Sequence, residues 1–357
     1  MRLKNKIIVA AAGSGKTTYI VKEALNNAPK KTLIVTYTNK NREEIEKKII
    51  ELHGFIPNHL IVRSWYAFLL SDLIRPYQNF VHEERIEGVY FPTGPINRFA
   101  TKSNIKAYFL NAKNEVNKDR LSELAELIAR NSDYKSITRF SELYDYIFID
   151  EVQDMAGYDL EIFNFFMLSN TNVLFVGDIR QATYTTNNTN KNKKYKGINI
   201  IDYFKERTDI CEVDQSLNIS HRCNEFICDF SDGLFEGMAS TLSKNEERTG
   251  HDGVFIVHPN DVEEYLQKYN PQCLRYDART VLPNAINFGD SKGLTFERVL
   301  IKPTAKMEKY LRTGELDLDE TTLAKFYVAL TRAKYSVGII SATKNIKIIG
   351  TNNFKML

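Results

Sequence analysis

An apolar run from Ile7 to Ala12 ends in Gly13-Ser14-Gly15-Lys16-Thr17 and passes directly into a helix-forming stretch, residues 17–26. Few patterns restrict a fold more tightly. A short uninterrupted apolar run reads as a strand buried on both faces, and a strand that leads through glycines into a helix opens a parallel α/β unit. The glycines let backbone N–H groups converge on one point, and the helix N-terminus adds favourable potential for an anion. Lys16 is then placed to reach the outer phosphates of a nucleotide, and the Thr17 hydroxyl to ligate magnesium. The strict pattern asks for glycine at the position of Ala10. Ala12, Gly13, Ser14, Gly15, Lys16, Thr17 and Thr18 are the candidate phosphate-binding residues.

The same alternation of strand and helix continues. Residues 32–37, 146–149 and 173–176 are further β-rich apolar runs, with helix-like segments at 41–52 and 160–168. Residues 66–144 break the rhythm: they are aromatic, amphipathic over 121–130, and interrupted by Phe91-Pro92-Thr93-Gly94-Pro95. They read as a largely helical insertion. After a polar loop at 185–197, the boundary between two α/β domains is expected near Thr208, giving 1–208 and 209–357. In the second domain, strands are expected at 255–258, 285–288, 299–301 and 336–340, with helices at 262–269 and 321–332.

The 357 residues suffice for two domains, each with its own core. With 43% hydrophobic and 26% charged residues the composition is that of a globular protein, and a net charge of +3 neither requires nor excludes nucleic acid. No apolar stretch is long enough to span a bilayer. The basic start, Met1 to Lys6, resembles the first segment of a signal peptide, but the apolar run after it breaks into the glycine loop. A cytoplasmic protein without a membrane partner is expected. Cys211, Cys223, Cys228 and Cys273 form no CxxC pair and read as reduced structural thiols.

Tyr146-Ile-Phe-Ile-Asp150-Glu151 supplies a second chemical element. A carboxylate at the end of a buried strand can hold magnesium, and the Glu151 beside it can orient and deprotonate an attacking water. A glycine loop with such a carboxylate pair implies nucleotide hydrolysis, which kinases, transporters and switches share.

Further motifs narrow the choice. In order the chain carries Val35-Thr-Tyr-Thr-Asn-Lys40, Arg63-Ser-Trp-Tyr-Ala-Phe68, Asp150-Glu-Val-Gln-Asp154, Val176-Gly-Asp-Ile-Arg-Gln-Ala-Thr-Tyr184, Ser220-His-Arg222, Asp290-Ser-Lys-Gly-Leu-Thr-Phe-Glu297 and Tyr327-Val-Ala-Leu-Thr-Arg-Ala-Lys334. The ordered set resembles the UvrD/Rep-like branch of superfamily 1 DNA helicases. That resemblance implies an α/β fold of two RecA-like P-loop domains with parallel sheets, the helical insertion lying in the first. It implies ATP with Mg2+ in a cleft between the domains, and single-stranded or tailed duplex DNA across their tops. Thr17 and Asp150 are then the metal residues. Glu151, Gln181, Arg222 and Arg332 are the catalytic set, with Gln181 sensing the γ-phosphate and the two arginines stabilising transferred charge. His221 falls where relatives stack a tyrosine on adenine, and Gly293 belongs to the fifth motif; a packed, non-ligand histidine is the alternative for His221.

For DNA, the resemblance points to Tyr37, Thr38, Asn39, Lys40, Trp65, Tyr66 and Tyr184. Aromatic stacking on bases is tolerant of sequence, as a translocase requires, although Trp65 and Tyr66 read equally well as core. The run Lys191-Asn-Lys-Lys-Tyr195-Lys196 reads as a phosphate grip or as a solvated loop.

The chain departs from the family in several places. The loop comes too early for an upstream adenine-reading glutamine motif. Thr295 replaces a ribose-contacting glutamate, and Thr186-Asn187 replaces a Trp-Arg pair. The span from Arg222 to Lys292 is too short for the large accessory insertion, and the chain stops soon after its sixth motif. The expectation is a compact ATP-dependent translocase or helicase of 3′ to 5′ polarity. The rival is a DNA-sensing regulatory subunit controlling a partner nuclease, as in anti-phage defence systems. A kinase or small-molecule ATPase would not respond to DNA.

Overall fold

The structure, a computed structural model, describes residues 5–92, 100–343 and 351–353. Residues Thr93, Gly94 and Pro95 of the expected interruption, and the basic Met1 to Lys4, lie outside them. Contacts divide the chain into two compact units. The first comprises Met1–Ile8, Thr17–Gly177 and Thr185–Asp214; the second comprises Val9–Lys16, Asp178–Tyr184 and Gln215–Leu357.

The first unit is built on a six-stranded sheet. Its strands are β1 (Asn5–Val9), β2 (Thr32–Thr36), β3 (Leu60–Ser64), β4 (Tyr146–Ile149), β5 (Asn172–Gly177) and β6 (Cys211–Asp214), in the order β3-β2-β4-β5-β1-β6. β2 runs parallel to β3 and β4, β4 to β5, and β1 to β6. Ile7, Leu33, Ile34, Val35, Ile147 and Phe175 are fully buried, as expected of strands covered on both faces. Helices α1 (Lys16–Asn26) and α2 (Asn39–His53) follow β1 and β2. α2 is capped at its start by the Thr38 side chain, which accepts from the Asn41 amide at 3.1 Å. β3 and β6 do not stand out in the sequence, because each is short and mixes apolar with charged residues. β6 carries the first sheet past Thr208.

The insertion is helical where its amphipathic pattern predicts, in α3 (Leu121–Asn131) and α4 (Lys135–Leu143). It also holds a wide-turned helical segment, Leu69–Ile74, and a two-stranded parallel ribbon of Gly88–Tyr90 with Glu115–Asn117. Phe140 stacks on Phe166 of α5 (Asp159–Leu168) at 4.5 Å, and Phe68 meets both rings edge-on or tilted. These rings fasten the insertion to the helix between β4 and β5.

Under α5 lies a buried carboxylate. Asp159 is fully buried and accepts from Trp65 Nε1 at 2.8 Å, from the Ala156 amide at 2.9 Å, and from the Ser122 and Thr186 hydroxyls. Asn187 Nδ2 adds a longer contact at 3.3 Å. Burial pushes the Asp159 carboxyl up, and these donors, each favouring its ionised form, oppose that shift.

The second unit has its own parallel sheet. Its strands are β7 (Gly253–Val257), β8 (Gln272–Arg275), β9 (Ile286–Asn287), β10 (Phe296–Lys302), β11 (Ala333–Ile340) and β12 (Thr351–Asn353), in the order β9-β8-β10-β11-β7-β12. Its helices include α6 (Glu225–Asp232), α7 (Val262–Tyr269), α8 (Ala305–Thr313) and α9 (Glu320–Leu330). α9 stops before Arg332, which the sequence pattern would have placed inside it. His251 is buried between the rings of Phe255 and Tyr269, at 3.9 and 3.7 Å, and its Nε2 shares a 3.0 Å hydrogen bond with Tyr265. All four cysteines are buried. Among the described residues no helix is long and apolar enough to cross a membrane.

Candidate nucleotide site

The glycine loop has the backbone its sequence calls for. Gly13 and Gly15 hold φ at 73° and 80°, the left-handed region where a Cβ is strained. At Gly13 space is a second constraint: a Cβ there would come within 2.6 Å of Arg222 Cβ and 2.8 Å of Ser220 Oγ. The segment Leu217–Arg222 lies along the loop, with the Ala11 amide donating to Leu217 O and the His221 amide to Gly13 O, both at 2.9 Å. Within the loop Ala12 and Ser14 are buried, and the Ser14 hydroxyl has no hydrogen-bond partner. Lys16 opens α1, and Lys16, Thr17 and Thr18 are half-buried. An unsatisfied hydroxyl in a concave backbone that opens a helix fits an anionic phosphate.

Asp150 follows β4 directly and is buried. Glu151, next to it, has φ of 55°, a left-handed conformation for a residue with a full side chain. It accepts from Gln153 Nε2. Gln153 is seated against Gly177, where a Cβ would lie 2.3 Å from its Oε1. The resulting arrangement is one carboxylate at a strand end and a second turned by its backbone into a separate direction. Among the described residues no group of three or more His, Cys, Asp and Glu is disposed to hold a metal. A magnesium held by one hydroxyl, one carboxylate and phosphate oxygens does not require such a group, and Thr17 and Asp150 are residues of that kind.

In the second unit Gln181 lies on the short turn Ile179–Gln181 and is buried. Its Nε2 donates to Asp178 Oδ2 at 2.9 Å, and its Oε1 accepts from Arg332 Nη2 at 3.4 Å. Arg332 is 1% exposed and spends its remaining donors on Val328 O, Leu294 O and Thr331 Oγ1. Burial, with the Arg222 guanidinium beside it, pulls Arg332 down to about 9. A phosphate beside Arg332 would favour its charged form. Arg222 Nη1 donates to Thr331 O at 3.1 Å. His221 is exposed, so the packed alternative for this histidine does not hold. Gly293 is exposed at φ of 87°, next to Lys292, whose Nζ reaches Gln181 O at 3.3 Å.

One supporting cluster escaped sequence reasoning. Arg180 pairs with Asp232 at 2.6 Å and Asp178 at 3.4 Å and lies 5.0 Å from the Tyr327 ring centre, while Tyr327 donates to Asp178. Asp178 and Arg180 precede Gln181 within one motif, which was the available signal; Asp232 offered none.

The expected DNA residues separate into three groups. Asn39 and Lys40 are exposed in the first turn of α2, behind the capping Thr38. Tyr37 and Tyr66 are half-buried, packed edge-to-face at 5.9 Å, and donate to Thr185 O and Thr186 O. Tyr66 also meets Phe91, which is 62% exposed. Tyr184 is 43% exposed, with Lys292 Nζ at 5.8 Å from its ring centre. Trp65 is different: it is fully buried, and its only polar atom is spent on Asp159. It is a core residue, and its expected role on a DNA strand is withdrawn. Thr186 and Asn187 are buried on the same carboxylate. In the basic loop, Tyr195 is buried against Tyr203 and is no part of a phosphate grip.

Fold and loop together define an α/β P-loop protein with two parallel sheets. The chain belongs to the AAA domain family, whose model matches residues 1–187. No curated protein sequence matches it. Among solved structures it is similar to Arterivirus nonstructural protein 10, a helicase: TM-score 0.52, 15% identity, covering 96% of this chain and 62% of that one. The same helicase in complex with DNA gives 0.51 and 14%, covering 95% of this chain and 61% of that one. Likeness at this identity is one of fold, and it agrees with the two RecA-like α/β halves expected. The chain spans about three fifths of those helicase chains.

Proposed function

We propose that the chain is an ATP-hydrolysing nucleic-acid translocase or helicase of the UvrD-like superfamily 1 type, moving 3′ to 5′ on single-stranded DNA. The observation that carries this reading is the pairing of Gln181 with the buried Arg332 beside Arg222. A buried glutamine bonded to a buried arginine that has a second arginine beside it suits a response to a nucleotide's phosphate, which a protein that only stores a nucleotide does not need. The Arterivirus structure with DNA supports the choice of ligand through fold alone.

On this reading the loop from Ala12 to Thr18 holds the phosphates of ATP through backbone amides and Lys16. Thr17 and Asp150 would hold Mg2+, which would supply charge neutralisation for the nucleotide's phosphates. Glu151 accepts the proton of the attacking water. Arg222 and Arg332 stabilise charge on the transferred group, and His221 presents an accessible ring to the adenine. Tyr37, Thr38, Asn39, Lys40, Tyr66 and Tyr184 contact the strand.

The test is ATPase activity with and without single-stranded DNA. Glu151→Gln should lower turnover about 10²–10⁴-fold, and Arg332→Ala about 10³–10⁵-fold, while Lys16→Ala abolishes nucleotide binding. A wild-type rate that DNA leaves unchanged would sink the coupling to nucleic acid. Strand displacement on a 3′-tailed duplex then separates a helicase from a regulatory subunit of a partner nuclease; robust unwinding by the chain alone excludes the latter.

A further inference from the structure

The first unit contains a cavity of about 740 Å³ that the nucleotide chemistry does not use. Three segments wall it: the insertion near Lys102, Tyr108, Arg120 and Glu123, the residue Tyr158 before α5, and the loop ending at Lys191. Its volume is within the ~300–1,000 Å³ of small-ligand clefts, room for a nucleotide unit and too little for a duplex.

Its lining is unlike a solvated charge run. Glu123 is 5% exposed, paired with Lys102 at 2.5 Å, and accepts from Tyr108 at 3.2 Å. Arg120, 8% exposed, lies 3.6 Å from the Tyr108 ring centre. Lys102 and Lys191 stand 5.3 and 6.0 Å from the ring centre of Tyr158. The cavity thus combines two aromatic rings with cations set over them, and both of its carboxylates are already paired, Glu123 with Lys102 and Asp119 with Lys118. The amide side chains of Asn188 and Asn190 at its edge offer donors and acceptors to a base.

The walls are held from below by a single group. Asp159 binds Ser122, next to Glu123; it is the neighbour of Tyr158; and it binds Thr186 and Asn187, next to Asn188. A polar cavity whose three walls hang on one buried carboxylate is preorganised, as a binding site must be and a gap between loops need not be. It also begins where the strand-contacting surface ends, since Thr185 and Thr186 carry the Tyr37 and Tyr66 hydroxyls.

We propose that this cavity receives one nucleotide unit of a single strand, its base against Tyr158 and its phosphate on Lys191, which exchanges its exposed pairing with Glu161 for the phosphate. The assignment rests on the reading of the chain as a nucleic-acid motor and gives its insertion a direct hold on the strand.

The experiment is anisotropy of fluorescein-labelled oligothymidylate with the full chain over a salt series. Tyr158→Ala should weaken binding about 5- to 150-fold, the worth of one stacked base, and Tyr158→Phe should retain it. Lys191→Ala, at an exposed position, should flatten the slope of log affinity against log salt by about 0.7; circular dichroism checks each fold. If all variants bind as wild type does, the cavity is not a strand site, while the motor reading stands. If wild type binds no strand, both fall. Thymidine monophosphate is the second arm: binding that Tyr158→Ala abolishes, with strand affinity unmoved, would make this a free-nucleotide site and overturn the proposal.

Discussion

Glu151 is held at φ of 55°, where a side chain with a Cβ costs roughly 1–3 kcal/mol. Such a cost persists only where the surroundings impose it, and here Gln153 and the missing side chain of Gly177 do so. Glu151→Gly should therefore leave thermal stability at or above that of wild type while turnover falls with the lost base, as differential scanning calorimetry and an ATPase assay would show. Gly177→Ala should act the other way, destabilising by about 1–3 kcal/mol through its clash with Gln153 and Val152. His251 sets a pH dependence. Burial, with Arg298 and Lys268 nearby, lowers it to about 4 against 6.5 when unfolded. Below 6.5 the unfolded chain takes up a proton that the native one refuses, so this stability is full above pH 6.5 and lost as pH falls toward 4. The loss is at most about 3 kcal/mol. Urea melts at pH 7 and pH 5 should differ, and less so in His251→Gln. At this scale the sequence made the loop glycines and the Asp150-Glu151 pair legible, because their spacing states their chemistry. It could not separate Trp65 from Tyr66, since adjacent aromatics differ only in which one the fold turns inward.

At the scale of elements, the buried Asp159 joins parts that are distant in the chain: the insertion through Ser122, β3's continuation through Trp65, and the polar loop through Thr186 and Asn187. Asp159→Asn replaces one acceptor with a donor amid donors and should cost about 1–3 kcal/mol, read as a lower urea midpoint. The same carboxylate gives Thr186 and Asn187 a structural role, since both are internal ligands to it. Long apolar strands such as Thr32–Thr36 and Asn172–Gly177 were readable. Gln272–Arg275 and Cys211–Asp214 were not. Four residues of mixed polarity carry no periodic signal, and their pairing is decided by neighbours far away in sequence.

For the whole molecule, the two sheets were anticipated and the grouping of segments was not. Val9–Lys16 and Asp178–Tyr184 belong by contact to the second unit, although the strands before them belong to the first. Runs so short and so far from their group cannot be assigned by composition. The place of β1 has a further consequence, in synthesis. It lies between β5 and β6, and its partner Cys211–Asp214 is made roughly 200 residues after it. At ~5–20 residues per second that is roughly 10–40 s during which Ile7 and Ile8 lack one flanking strand on the ribosome. Stalled nascent chains ending before β6 should remain open to protease near β1, and those that have released Asp214 should not. The most exposed moment of synthesis therefore falls on the strand that leads into the glycine loop, and a chaperone has that interval in which to act.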